Sequence, residues 1–328
     1  MTTNKGLALV NRDDDGVNQD FRSDVLAGLS QTQKAIPARW LYDDAGSQLF
    51  EDITQIPEYY LTRAETQILR DRSGEFAERI GARRAVVEFG SGSSVKTPLL
   101  LSAIEPAAYV PLDISGDFLR ASAAALSDKF PGLPVHPVEA DFMRHVALPD
   151  AVQTMSKLGF FPGSTIGNMV ARTSVDLLRT MRETLGEGSQ LLIGMDLIKD
   201  TGVLVAAYDD ASGVTAEFNL NLARRINREL GGDIPVDALK HVARWSDEFA
   251  RVEMHLEALD NIIFQLAGCS FSMQKGETIH TENSHKFNRR TSQTLLLAGG
   301  WTPVSRWLDD EEQFSLILAE ATVPRSAP

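Results

Sequence analysis

Between Gly276 and Phe287 the chain reads GETIHTENSHKF. Glu277, Thr278, Thr281, Glu282, Asn283, Ser284 and Lys286 crowd this joint between an apolar, strand-like run and a helix-like run. Such hydrogen-bonding capacity has two uses. Asn283 or Ser284 can cap the helix that follows, or the cluster can hold a small polar ligand. A second stretch, VVEFGSGSSVKT, combines a strand, a glycine turn and a helix start. Gly90 and Gly92 allow a sharp turn and a close backbone approach to a ligand. Asp113 ends the next strand, where a carboxylate can take both hydroxyls of a ribose. Asp141 and Phe142 end the third, where an acceptor and an aromatic ring can flank an adenine. Three successive strand ends of this kind point to a nucleoside pocket. The dinucleotide fingerprint wants a third glycine where this chain has Val95, which argues against a nicotinamide cofactor.

The elements that must position these residues can be read from hydrophobic periodicity. FRSDVLAGLSQTQKAI has helical spacing, and LYDDAGSQLFEDITQIPEYYLTRAETQILRD reads as short helices punctuated by Gly46 and Pro57. From Ala85 strands and helices alternate, with strand runs AVVEF, AAYVPLDIS, PVHPVEADF, LGFFPGSTIGN and QLLIGMDLI. This rhythm predicts parallel pairing with helices on both faces. It then breaks. DTGVLVAAYDD and VTAEFNLNLARRINRELGG are helical, and ARVEMHLEAL, NIIFQLAG and CSFSMQKGETI read as antiparallel strands. A helix, KFNRRTSQTLLLAGG, and two strands, WTPVSRWLDD and QFSLILAEA, complete the chain. The organisation expected is a flexible tail over 1–20, one lobe from 21–63 with 199–285, and an α/β domain from 64–198 with 286–328.

Composition narrows the function classes. The 328 residues carry 32 basic and 45 acidic side chains, a formal net charge of −13. That balance disfavours nucleic acid and anionic membranes as partners. No apolar run approaches the roughly 20 residues needed to span a bilayer. The opening residues lack a signal-peptide core, so a cytoplasmic protein is expected. Cys269 is the only cysteine, which rules out an intrachain disulfide. The six histidines lack metal spacing with any cysteine, so no metal is expected. His280 and His285 read as incidental neighbours of the polar joint.

Glu88, two residues ahead of Gly90, followed by Gly-x-Gly, resembles the first motif of class I S-adenosylmethionine-dependent methyltransferases. The terminal AGGWTPVSRW and FSLILAEA resemble the closing strand pair of that fold. More narrowly, LYDDAGSQLFEDITQIPEYYLTRAE, EFGSGSSVKT, GSTIGN, YDDASGVTAEFNLNLARRINRELG and HTENSHKF, in that order from Ile36 onward, resemble the histidine-specific Nα-methyltransferases of ergothioneine biosynthesis.

The resemblance implies a Rossmann-like class I methyltransferase sheet with a second, substrate-binding lobe formed by the N-terminal helices and an α+β insertion. It implies S-adenosylmethionine as cofactor, S-adenosylhomocysteine as product, and three methylations of the α-amino group of L-histidine to give hercynine; a monomer is expected, though the resemblance does not supply the oligomeric state. It makes Tyr42, Tyr59 and Asn168 the residues at the reaction. Tyr59 sits near the substrate amine and carboxylate, Asn168 anchors the α-amino acid, Tyr208 binds the carboxylate, and Met254 packs beside the ring. Glu282 and Ser284 hold the imidazole: a carboxylate can accept from a ring N–H, and a hydroxyl can serve the other nitrogen. Gly90, Gly92 and Lys96 join Glu88 in the first motif, Asp113 takes the ribose, and Asp141 with Phe142 the adenine. Methylation of another amino acid or small amine, such as a tryptophan derivative, is the alternative. A nicotinamide oxidoreductase and a non-catalytic nucleoside-binding protein rank lower.

Overall fold

A computed structural model describes residues 17–92 and 96–322. Val95 and the first sixteen residues of the expected tail lie outside them. The chain forms two compact units: residues 1–60 with 199–284, and residues 61–198 with 285–328.

The second unit is built on a seven-stranded sheet. Its strand order is Trp301–Leu308, Phe314–Ala321, Gln190–Asp196, Lys157–Phe161, Ala85–Phe89, Ala108–Asp113 and Val138–Glu139. The last five pair in parallel, whereas Phe314–Ala321 runs antiparallel to Gln190–Asp196 and to Trp301–Leu308. This is the Rossmann-like class I methyltransferase arrangement. Ala85–Phe89, Lys157–Phe161 and Gln190–Asp196 are buried at every position, as expected of strands covered on both faces. Val87, Phe89, Val110, Leu112, Phe161, Leu178, Ile193 and Trp301 join one apolar core. The Trp301 indole N–H donates to the Leu178 carbonyl at 2.8 Å, so the largest core ring keeps its one polar atom satisfied. Chain order reverses between Ala85–Phe89 and Lys157–Phe161. In such sheets ligands bind beyond the carboxyl ends of the strands at that switch point.

The first unit holds a four-stranded sheet in the order Lys34–Ala35, Thr278–His285, Arg251–Ala258 and Leu239–Ser246, and a separate hairpin of Ile262–Leu266 with Cys269–Met273. Helix Val214–Leu230 ties the N-terminal segment down through polar side chains. Asn221 Nδ2 donates to Asp43 Oδ1 at 2.8 Å, Arg228 pairs with Asp43, and Arg225 Nη1 donates to the Trp40 carbonyl at 2.9 Å. Much of the family-like YDDASGVTAEFNLNLARRINRELG stretch is therefore scaffold.

Several sequence expectations change. Helix Gln19–Leu29 starts inside the expected tail, with Asn18 as its cap. Leu239–Ser246 is a strand that the sequence reading lacked. The third parallel strand shrinks to Val138–Glu139. The polar joint is itself a strand, Thr278–His285, followed by helix Arg289–Ala298. Neither Asn283 nor Ser284 caps that helix. Asn288 does, accepting from Thr291 N, while the Thr291 hydroxyl accepts from Asn288 N, both at 2.9 Å. This reciprocal pair is a capping box with threonine in place of the usual acid or amide.

Candidate active site

In the second unit the residues expected to face a nucleoside gather at the carboxyl ends of the strands. Gly90 has φ +72°, and a Cβ there would lie 3.4 Å from the Phe142 ring. The ring is in ordinary van der Waals contact, and it is the positive φ that disfavours any residue with a side chain. The N–H groups of Gly90 and Ser91 donate to the Leu112 carbonyl at 2.9 and 3.1 Å, which folds the loop back on the next strand. Asp113 closes that loop: its Oδ2 accepts from Gly92 N at 3.0 Å and its Oδ1 from Ser115 N at 3.0 Å. Phe142 packs edge-on against Phe89 and Phe161, and Asp141 Oδ1 accepts from Met143 N at 2.9 Å.

Glu88 lies one layer deeper, fully buried. Its carboxylate accepts from the Thr97 hydroxyl at 2.9 and 2.8 Å and from the Tyr109 hydroxyl. Burial pushes its carboxyl up to about 7, against the opposing pull of the Tyr109 and Thr97 hydrogen bonds. The placement makes Glu88 a brace between the start of the helix and the neighbouring strand.

Lys96 pairs with Glu65, a residue that sequence reasoning missed. Glu65 is completely buried in helix Leu61–Asp71 and accepts the Gly163 N–H on both oxygens, at 3.1 and 3.0 Å. It therefore joins the loop after Ala85–Phe89 to the loop after Lys157–Phe161, on the two sides of the switch point. The signal was available: Leu61, Ala64, Ile68 and Leu69 form the apolar stripe of this helix, and a carboxylate inside such a stripe needs a partner. Asn168 ends the 3₁₀ turn Thr165–Asn168 in this same unit. The turn is close-fitting, since a Cβ on Gly167 would come within 2.8 Å of the His285 carbonyl oxygen.

In the first unit the structure brings together Tyr42, Tyr59, Tyr208, Glu282 and Ser284. Tyr42 packs edge-on against Phe50 and Phe218, Phe50 against Tyr59, and Tyr59 against Tyr208. The Tyr208 hydroxyl lies 2.6 Å from Ser284 Oγ. Burial, then the charge of Glu282, then Tyr59 and Tyr208 hold the Tyr42 phenol well above its ordinary range. Tyr42 is thus a hydrogen-bond donor at neutral pH and not a base. The backbone around these rings is fixed. Asp43 caps helix Asp44–Ile53 through Gly46 N at 2.7 Å. Asp210 accepts from Ser212 Oγ, Val214 N and Thr215 N at 2.5, 3.0 and 2.8 Å. Burial raises the Asp210 carboxyl, but these hydrogen bonds outweigh it and leave it lowered.

Met254 is buried on Arg251–Ala258, and its carbonyl accepts from Thr281 Oγ1 at 3.0 Å. His280, read as incidental, is not: its Nε2 lies 3.0 Å from the Glu282 carbonyl oxygen.

Residues 21–321 match the model of a family described as histidine-specific methyltransferase, SAM-dependent. The chain is 41% identical over 311 residues to a histidine N-alpha-methyltransferase of Mycolicibacterium smegmatis, covering 93% of this chain and 96% of that one. It is 40% identical over 305 residues to the protein of the same name from Mycobacterium tuberculosis, covering 91% and 94%. It is 28% identical over 299 residues to ergothioneine biosynthesis protein 1 of Neurospora crassa, covering 88% of this chain and 33% of that longer one.

Proposed function

The chain belongs to the histidine-specific, SAM-dependent methyltransferase family, and from that premise we propose that it methylates the α-amino group of L-histidine, up to the trimethylated betaine hercynine, in ergothioneine biosynthesis. The observation that carries the reading is the grouping of Glu282, Ser284, Tyr208, Tyr59 and Tyr42 in one unit of a family member. S-adenosylmethionine, when bound, supplies an electrophilic methyl group on a sulfonium leaving group. The second unit suits its nucleoside: a glycine loop whose positive φ at Gly90 favours glycine, the Asp113 carboxylate for ribose hydroxyls, Phe142 and Asp141 for adenine. Lys96, steadied by Glu65, adds a cation beside that loop, and Glu88 supports the loop from behind. The second unit is then the cofactor-binding part and the first unit the substrate-binding part.

On this reading Glu282 accepts from one imidazole N–H. Ser284 serves the other nitrogen, and its pairing with Tyr208 sets its role. With Tyr208 donating to Ser284, the serine hydroxyl would turn its proton toward the lone pair of a neutral imidazole. With the pair reversed, Ser284 accepts from an imidazolium N–H, and Tyr208 can donate to the substrate carboxylate. Tyr59 and Asn168 orient the amine, which must shed its proton because an ammonium has no lone pair. The neutral phenol of Tyr42 donates without competing for that proton. After the third transfer the nitrogen is a permanent cation, which the aromatic faces of Tyr42, Phe50, Tyr59 and Tyr208 can accommodate. Met254 fills space beside the ring.

The test is incubation with S-adenosylmethionine and a panel of amino acids, followed by mass spectrometry. Histidine should gain up to three methyl groups, and other amino acids far fewer. Removing one hydrogen bond to a neutral ligand group costs about 0.5–1.5 kcal/mol, and more where a buried partner is left unpaired. Glu282→Ala with Ser284→Ala should therefore weaken histidine binding roughly ten- to a hundredfold and raise the ratio of tryptophan to histidine turnover. Preferential methylation of another amino acid by the unaltered enzyme would overturn the assignment.

A further inference from the structure

His280 does more than flank Glu282. Its Nε2 lies 3.0 Å from the Glu282 carbonyl oxygen. A carbonyl only accepts, so this nitrogen carries the proton. The His280 ring stacks on His255, with centroids 4.5 Å apart and planes 18° from parallel. His255 is itself fixed on both edges. Its Nε2 donates to Glu253 Oε2 at 3.1 Å, and its Nδ1 accepts from the Thr278 hydroxyl at 3.2 Å. Glu253 is held in turn by Arg251, whose Nε and Nη2 donate to Oε1 at 2.8 and 2.6 Å, and by Arg244 Nε, 3.4 Å from Oε2. All of these residues lie on Leu239–Ser246, Arg251–Ala258 and Thr278–His285, within one unit.

The same pattern recurs at Tyr208. Its carbonyl accepts from His241 Nε2 at 2.7 Å, while His241 Nδ1 accepts from Asn219 Nδ2 at 2.9 Å. The other hydrogen of that amide donates to the His255 carbonyl at 3.0 Å. Burial lowers the pKa of all three histidines, that of His255 to about 4 against the raising pull of Glu253. They are neutral at physiological pH and each has one proton to donate.

The ligand atoms of Glu253, His255 and His280 lie within 4.8 Å of one another, which suggests a metal site. Two features speak against one. The Glu253 carboxylate is already engaged by two guanidinium groups, whose charge repels a cation. An imidazole lone pair lies in its ring plane, so two near-parallel stacked rings cannot both aim at one ion without turning.

We propose that His280, backed by the stacked His255 and its Glu253 partner, is a positioning residue that sets the backbone of Glu282 and thereby the enzyme's selectivity for an imidazole-bearing acceptor. This rests on Glu282 being the imidazole acceptor, and it goes beyond that reading by assigning the relay behind it. A carbonyl hydrogen-bonded to a ring that is itself stacked cannot swing, so the Glu282 side chain leaves the strand in one direction.

The experiment compares wild type, His280→Phe and His280→Gln. Phenylalanine keeps the stacking and removes the donor; glutamine restores an N–H near the Nε2 position. Calorimetry in the presence of S-adenosylhomocysteine should show histidine affinity falling about tenfold in the phenylalanine variant, the size of one lost hydrogen bond. The glutamine variant should recover most of it. Affinity for S-adenosylhomocysteine should stay within about twofold, whereas a general loss of structure would lower both. Equal histidine affinity in wild type and His280→Phe overturns the inference alone. A wild type that binds no histidine overturns the acceptor assignment and the inference with it. Nitrogen-15 spectra of the unaltered protein need no variant: Nε2–H tautomers at His280 and His255 are expected, and an Nδ1–H tautomer at His280 refutes the relay. Stoichiometric Zn²⁺ binding that His255→Phe abolishes would replace it with a metal site.

Discussion

A carboxyl group sealed away from water titrates late. Glu88 is 1% exposed, and burial lifts its pKa to about 7 from the ordinary 4.5. In the unfolded chain it loses its proton near the ordinary value, so between those two pH values only the folded state keeps it. Stability linked to Glu88 is therefore fully present below about pH 4.5 and lost as pH rises through about 7. The shift corresponds to about 3 kcal/mol at most. Thermal melts should show wild type losing stability between pH 5 and pH 8, and Glu88→Gln losing less over the same range. Parallel pH curves for the two proteins would remove Glu88 as the source. The residue scale also explains why a motif acid need not touch a ligand. Glu88 is engaged by Thr97 and Tyr109, and what it contributes to the glycine loop is a fixed base.

At the scale of elements, the joint that first suggested either a cap or a site divides between the two. Strand Thr278–His285 carries Glu282 and Ser284, and the cap lies a few residues later at Asn288. Asn288→Ala removes a side chain that satisfies the Thr291 N–H, and losing such a cap costs about 1 kcal/mol. A lowered melting temperature with an unchanged ratio of histidine to tryptophan turnover is expected. Altered selectivity would mean that the helix start reaches the acceptor residues. The strand itself is set by neighbours remote in sequence: it lies between Lys34–Ala35, with which it pairs in parallel, and Arg251–Ala258. Its polar residues therefore project from a fixed backbone, which a loop would not provide.

At the scale of the whole molecule, the two units divide the chemistry. Residues proposed for the cofactor lie between Glu88 and Phe142, and those proposed for the acceptor lie at 42–59, 208, 254 and 282–284, with Asn168, proposed to orient the amine, belonging to the second unit. Hydrogen exchange followed by mass spectrometry should reflect this. S-adenosylhomocysteine should protect amides near Gly90, Asp113 and Asp141. Histidine, added next, should protect those near Tyr59, Tyr208 and Glu282. At a hundred times its Kd, a ligand of the folded state stabilises the protein by about 2.7 kcal/mol, so each addition should also raise the melting temperature. Protection by histidine confined to residues 85–142 would reverse the assignment of the two units.

The sequence by itself determined the alternation of strands and helices from Ala85, because buried parallel strands need continuous apolar runs and helices need their own period. It also marked the glycine loop and the acids at successive strand ends, each commonplace alone and pointing to a nucleoside pocket only in combination. The ordered stretches around Tyr42, Tyr59, Asn168, Tyr208 and Glu282 pointed to the family. What local pattern could not reveal was pairing across long separations. The parallel bridge of Lys34–Ala35 to Ile279–His280 joins residues about 245 apart, and no periodicity near either end announces it. Leu239–Ser246 alternates only loosely in burial and becomes a strand because Arg251–Ala258 pairs with it. His255 and His280 look ordinary in the sequence, and Glu65, an acid inside an apolar stripe, signals the need for a partner without naming it. Tertiary structure decided their roles, since a buried charge or imidazole takes its meaning from whichever partner the fold brings within hydrogen-bonding distance.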